Sequence, residues 1–305
     1  PHQLRIQHLV AKIVAMKRIS TVICDLDGTL LNSFKDVSKA NHNILSALSA
    51  KDVLLGLASG RDIEQIEENM DRWGLDDKIS FIIGSNGCEY KNCQTGRYVR
   101  QGFMPTKVLH VLKPWLKESG LVWGVKSRGR MYWDHFSIYA LLHSVADGQK
   151  ASYNGFASLQ ETELSKIILV GSPGRIAKAR DSFDIEGFRL IPVGKFSLEI
   201  VADGVSKFEG LCRAMEDFPI AQEDTLTFGD DFNDIELVSN TYGVAMKNAI
   251  LQVVLAARDR TKYGGPQDGV AYHLNAMMIS GRYSFEKPGK PDPAVQDSND
   301  PSADS

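Results

Sequence analysis

The chain has 305 residues, 43% of them hydrophobic and 24% charged, with a formal net charge of -3. A length above that of a typical domain predicts about two domains, and so even a charge balance points to neither nucleic acid nor an anionic membrane as partner. No run approaches the roughly 18 apolar residues of a membrane span, and the first residues lack the apolar stretch and cleavage site of a signal peptide. Cys24, Cys88, Cys93 and Cys212 form no paired framework and no zinc spacing, so they read as reduced thiols of a cytoplasmic protein.

In chain order, residues 1–19 read as an extension before the fold. A short apolar run, Thr21-Val22-Ile23-Cys24, then ends in Asp25-Leu26-Asp27-Gly28. Continuous apolar character bounded by glycine predicts a buried strand of a parallel sheet. Helical spacing of Ile44, Leu45 and Leu48 predicts a helix over 38–50, and 53–58 a second buried strand ending in Ser59-Gly60-Arg61. Asp62 with Gln65 marks the start of another helix. A third strand over 80–84 closes on Ser85-Asn86-Gly87, an Asn-Gly turn signal. Strand and helix in alternation predict a parallel sheet.

From residue 88 to 190 the pattern changes to short strands (97–102, 121–126, 130–133, 166–171, 188–193) among helices over 106–119, 136–146 and 174–183. That stretch is expected to be an inserted α+β domain. The parallel pattern is expected to resume with a strand over 196–201, followed by a helix over 206–217 that carries Lys207 near its start. A strand over 224–228 ends in Gly229-Asp230-Asp231-Phe232-Asn233-Asp234. A strand over 242–246 and helices over 249–257 and 269–279 complete a core of residues 20–87 and 191–281. The Pro-, Asp- and Ser-rich residues 282–305 are expected to be a disordered tail. The fold class is therefore α/β: a doubly wound, Rossmann-like parallel-sheet core with an inserted α+β domain.

Ligands of open α/β sheets bind outside the carboxyl ends of the strands, where Asp25 and Asp27 are expected. Two carboxylates so close repel unless a cation lies between them, and oxygen ligands suit magnesium. The bland alternative for Asp27-Gly28 alone is a turn. Three further segments present polar groups beside the same sheet: Ser59-Gly60-Arg61, Lys207, and Asp230 with Asn233 and Asp234. A lysine at a helix start opposes the helix dipole, which hints at a function. Asp231 reads as a turn residue.

Taken together, these segments closely resemble the haloacid dehalogenase superfamily of phosphatases, in its Cof-type, class IIB cap branch, over about residues 20 to 281. Asp25-Leu26-Asp27-Gly28-Thr29-Leu30-Leu31 matches the first motif of that family, Ser59-Gly60-Arg61 the second, Gly204-Val205-Ser206-Lys207 the third, and Gly229-Asp230 with Asn233-Asp234 the fourth. Residues 243–249, which include Lys247-Asn248-Ala249, and Asp268-Gly269-Val270-Ala271 match further landmarks.

The resemblance implies a magnesium-dependent phosphomonoesterase acting on a small phosphorylated metabolite, a sugar phosphate above all, through an aspartyl phosphate. Asp25 is then the nucleophile and Asp27 the general acid and base. Magnesium is held by Asp25, the Asp27 main-chain carbonyl and Asp230, with Asp234 in support. Ser59, the Leu26 and Gly60 amides, Lys207 and Asn233 receive the phosphoryl group. Arg61 either contacts substrate or pairs with an acid, and Asn86 either faces the site or merely makes its turn. The inserted domain is the cap that closes over the site and sets the leaving group. Arg128, Arg130 and His135 are candidate leaving-group contacts, against the ordinary alternative of a solvated loop. A phosphosugar mutase and a non-enzymatic phospho-sensing regulator are the competing readings. Dehalogenation is disfavoured, because that branch needs neither the second aspartate nor magnesium.

Overall fold

The computed structural model describes residues 16–127, 130–146, 148–156 and 163–289. Arg128, residues 1–15 and most of the expected tail thus lie outside the described residues. Eight strands form the core sheet, in the order Asp259–Arg260, Tyr242–Ala245, Thr225–Gly229, Thr21–Cys24, Leu54–Ala58, Phe81–Gly84, Glu89–Asn92, Tyr98–Arg100. The first six run parallel to their neighbours. The last two are an antiparallel extension.

Thr21–Cys24 and Leu54–Ala58 are buried along their whole length because helices cover both faces. Strand alternation sends Val22, Cys24, Leu55 and Leu57 to one face, where they pack with Ile44, Ile66 and Leu274 of helices Lys39–Ser49, Ile63–Trp73 and Gly269–Ile279. Ile23, Leu54 and Ala58 point to the other face, against Leu211 and Ala214 of helix Lys207–Asp217. Thr21–Cys24 is flanked by Leu54–Ala58 on one side and Thr225–Gly229 on the other. Chain order reverses at this point, which leaves a crevice at its carboxyl end.

The second, mixed sheet has the order Lys150–Ser152, Arg130–Trp133, Val122–Ser127, Ile167–Val170, Ser197–Ala202, Phe188–Val193. Trp123, Val125, Ile167, Leu169, Leu198 and Ile200 form its core with Leu112, Leu116 and Ile176 of helices Val108–Ser119 and Pro173–Ser182.

Sheet membership corrects the expected boundaries at both ends of the insertion. Glu89–Asn92 and Tyr98–Arg100, placed by the sequence in the inserted domain, extend the core sheet. The Asn86-Gly87 turn reverses the chain within that sheet. Ser197–Ala202, expected as the return to the parallel core, is an inner antiparallel strand of the cap sheet. It is buried on both faces, and its largely apolar run, interrupted by Ser197 and Glu199, imitates a parallel core strand. The ends also differ: Lys17–Ile19 pairs in parallel with Tyr283–Phe285, so the expected extension and tail each contribute a strand. Among the described residues no helix is long and apolar enough to cross a membrane.

Candidate active site

Asp25 leaves strand Thr21–Cys24 with its amide donating to the Phe228 carbonyl (3.0 Å), which brings it beside the carboxyl end of strand Thr225–Gly229. The chain then turns at Gly28, φ 88°, where a Cβ would lie 2.3 Å from Asp230 Oδ2. Glycine is therefore required there both for its backbone and for the close approach of a carboxylate.

Lys207 opens helix Lys207–Asp217, behind Ser206, whose hydroxyl accepts from the Glu209 amide. It is wholly buried, and its Nζ donates to Asp25 Oδ1 (2.7 Å) and Asp234 Oδ1 (2.6 Å). Those two charges outweigh burial and raise the Lys207 pKa, so the ammonium persists. Burial pushes the Asp25 carboxyl well above its usual range, with Asp234 and Asp230 adding to the effect and Lys207 opposing it. Asp230 is pushed up to about 7 by burial and by the Asp234 charge. It accepts from Thr29 Oγ1 and from Asn248 Nδ2, each at 3.0 Å.

The Asp25, Asp230 and Asp234 carboxylates can each present an oxygen within 4.8 Å of the others. Two carboxyls displaced upward in such a cluster mark a site short of positive charge, and an all-oxygen donor set fits a hard divalent cation. Asp234 is the most constrained of the three. Its Oδ2 accepts from the Asp230 amide (2.8 Å) and the Asp231 amide (3.1 Å), and Lys207 holds Oδ1. Asp231 caps the turn at Phe232, as its turn reading requires.

The Asp27 side chain stands apart from this triad. Arg61 grips it with two hydrogen bonds of 2.7 Å, and Lys35 adds a third of 2.6 Å. Burial pushes its carboxyl up, but the Arg61 and Lys35 bonds and charges prevail and hold it below the ordinary carboxylate value. Ser59 is buried, and its hydroxyl accepts from the Arg61 amide (3.2 Å). Leu26 is wholly buried in the turn after Asp25. A Cβ on Gly60 would lie 3.1 Å from Asn86 Oδ1, so the Asn86 amide covers that glycine. Asn233 Nδ2 donates to the same Asn86 oxygen (2.9 Å).

The structure thus gathers Asp25, Lys207, Asp230 and Asp234 in one cluster, Asp27 and Arg61 in a second, and Gly60, Asn86 and Asn233 in a third. The sequence reading gave no role to Thr29, Lys35, Asn248, Lys166 or Glu199. Thr29 and Asn248 lie inside quoted motifs, so their signal was present. Lys166 and Glu199 arrive from the cap and carried none. Of the candidate leaving-group residues, Arg130 is exposed and His135 pairs with Asp134 on the surface. A cavity of about 360 Å³ borders Asn86, Lys207 and Asn233 and continues to Arg189, Phe232 and Glu236, away from Asp25 and Asp27.

The family model for haloacid dehalogenase-like hydrolases matches residues 22–274. YxeH of Bacillus subtilis is 24% identical, over 85% of this chain and 98% of that protein. The 5-amino-6-(5-phospho-D-ribitylamino)uracil phosphatase YcsE of the same organism is 22% identical, over 86% and 96%. In relatives from Streptococcus pyogenes and Arabidopsis thaliana the match covers only 55% and 46% of a longer protein. Among solved structures, a haloacid dehalogenase-like hydrolase from Bacteroides thetaiotaomicron superposes with a TM-score of 0.72 at 24% identity, covering 85% of this chain and all of that one. The subclass IIB sugar phosphatase BT4131 gives 0.70 at 19% identity, over 85% and 99%. The chain belongs to the haloacid dehalogenase-like hydrolases.

Proposed function

We propose that the protein is a magnesium-dependent phosphomonoesterase that hydrolyses a small phosphorylated metabolite, a sugar phosphate, through a phosphoaspartate at Asp25. The observation that carries this reading is a buried carboxylate, Asp25, held by a buried lysine within an acidic triad at the switch point of the sheet. Asp25, Asp230 and the Asp27 carbonyl would hold magnesium, with Asp234 as support. When bound, the ion screens the approach of an anionic nucleophile to an anionic ester.

In the first step an Asp25 carboxylate oxygen forms a bond to phosphorus, and the bond from phosphorus to the ester oxygen breaks. The leaving oxygen takes a proton from Asp27. In the second step water attacks the same phosphorus and gives a proton to Asp27, and the acyl phosphate bond breaks to release inorganic phosphate and restore Asp25. Lys207, Asn233, Ser59 and the Leu26 and Gly60 amides stabilise the charge on the transferring group. Asp27 as found, gripped by Arg61 and Lys35, is poised as the base of the second step. An incoming phosphate draws Arg61 away and thereby favours the protonated form needed in the first.

The cap rests on the very loop that follows Ser59: Lys126 pairs with Asp62, and Lys166 donates to the Gly60 carbonyl (3.1 Å). A cap seated so low suits a small leaving group, and its charged lining suits a polyhydroxylated one. Sugar phosphatase activity in a protein of the same fold and phosphatase activity in a sequence relative support this reading. Phosphate release from sugar phosphates, nucleotides and cofactor phosphates, with magnesium and with chelator, tests it. Metal-dependent release that favours sugar phosphates is expected. Phosphate migration without release would turn the reading to a mutase, and a stable phosphoprotein with no turnover to a regulator.

A further inference from the structure

Ser85, Asn86 and Gly87 all adopt positive φ (50°, 57° and 102°). Two consecutive non-glycine residues in the left-handed region are strained, and such strain persists only where surrounding contacts hold it. Here the Ser85 amide donates to the Arg61 carbonyl (2.7 Å), the Asn86 amide to the Ser59 carbonyl (3.0 Å), and Arg213 Nη1 to the Gly87 carbonyl (2.7 Å). What the strained turn achieves is the placement of the Asn86 side chain, which is 1% exposed.

That side chain joins the phosphate-binding loop to the cap. Its Oδ1 accepts from Asn233 Nδ2 (2.9 Å), and its Nδ2 donates to Glu199 Oε2 (2.7 Å). Glu199 belongs to cap strand Ser197–Ala202 and faces away from Leu198 and Ile200, which fill the cap's own core. It is 6% exposed, and its other oxygen accepts from Lys166 Nζ (2.5 Å), the same ammonium that reaches the Gly60 carbonyl. A carboxylate can only accept, whereas an asparagine amide has a donating and an accepting end. Glu199 therefore obliges Asn86 to turn its nitrogen toward the cap and its oxygen toward Asn233. Asn233 must in turn present its nitrogen, which fixes the end of its amide that carries donors.

We propose that Glu199 is a positioning residue for phosphoryl transfer: acting from the cap through Asn86, it sets the orientation of Asn233, so that this donor is correctly presented only while the cap is seated. The proposal rests on the phosphatase reading for the role of Asn233. Cap seating and assembly of the phosphate site become one event, which leaves the site incomplete toward water when the cap is lifted.

A polarity swap tests it. Glu199→Gln alone leaves one oxygen for two donors, and the Lys166 ammonium holds it, so an NH2 group faces the Asn86 nitrogen; Asn86→Asp alone opposes two carboxylates. Each should lower kcat/KM by about tenfold to a hundredfold, mostly in kcat, as for a lost buried hydrogen bond to a charged group. In the double variant Glu199→Gln/Asn86→Asp, the new amide at 199 donates to the new carboxylate at 86, which accepts from Asn233 as the native amide did. Recovery to within about threefold of wild type is expected, because coupled neighbours depart from additivity. The dissociation constant of inorganic phosphate, measured by calorimetry with magnesium present, should weaken in each single variant and recover in the double. Magnesium affinity should stay level in all four proteins. A double variant no better than the worse single, in turnover and in phosphate affinity, would overturn the proposal, as would wild-type protein that binds no phosphate. Absence of turnover by wild type on every substrate would strike the phosphatase reading alone, because the calorimetric cycle still judges the relay.

Discussion

Lys207 occupies the first turn of a helix, where the dipole disfavours a cation, and has no exposure to water. Both costs are met by Asp25 and Asp234, which it pairs at 2.7 and 2.6 Å. Lys207→Met would strand two buried carboxylates, and breaking a buried pair in this way costs about 3–5 kcal/mol. Urea denaturation of metal-free protein should show a loss of that order, with turnover gone. Asp27 titrates in the opposite sense to Asp230. Its folded pKa lies below the ordinary 3.8, so its pairing with Arg61 stabilises the protein above that pH and is lost as pH falls through the folded value. Melting temperature should therefore drop more steeply below pH 3.8 in wild type than in Arg61→Gln, by an amount that salt reduces because Asp27 is partly exposed. Asp230, pushed up to about 7, binds a proton that a metal must displace. Magnesium affinity should tighten as pH rises through 7, the more so because the Asp25 carboxyl is raised as well, as titration calorimetry at several pH values will show. At this scale the sequence was most informative where spacing along the chain itself places the groups, as in Asp230 with Asp234. Asn248 and Thr29 act on Asp230 across a fold that spacing alone does not reveal.

Among the elements, the helix starts were legible because their chemistry is local: Ser38, Asp62 and Ser206 each accept from an amide three residues on. Ser197–Ala202 was not, because Leu198, Ile200 and Val201 are as compatible with a buried antiparallel cap strand as with a parallel core strand. The turn at Ser85–Gly87 shows a different limit. Its Asn-Gly pair signals a reversal correctly, but not that the reversal rests on the start of the next functional helix. A Cβ on Gly87 would lie 1.9 Å from the Ser206 carbonyl oxygen, at a φ of 102° that L residues avoid. Gly87→Ala must push the turn and the Lys207 helix apart, and a strained backbone of this kind costs about 1–3 kcal/mol before the clash is added. A melting temperature lowered accordingly, with turnover reduced further than stability alone explains, is the expected outcome.

For the whole molecule, strand order decides where chemistry occurs: the first core strand sits where the chain reverses direction across the sheet, and both acidic loops emerge at its carboxyl end. That much follows from alternating strands and helices, and it was readable from the sequence. The contacts of the cap were not, because Lys126, Lys166 and Glu199 find partners in Asp62, Gly60 and Asn86 more than thirty residues away. Beside these polar contacts, Ile191 and Val201 of the cap are buried with Cys88 and Val205 of the core, against Phe232. Hydrolysis as proposed requires the phosphoryl group to pass through Asp25. Rapid acid quench during turnover of the preferred sugar phosphate, followed by mass spectrometry of the peptide around residue 25, addresses it most directly. Phosphate attached at Asp25, absent in Asp25→Asn together with turnover, is the predicted result. Phosphate attached elsewhere, or turnover retained in Asp25→Asn, would contradict it.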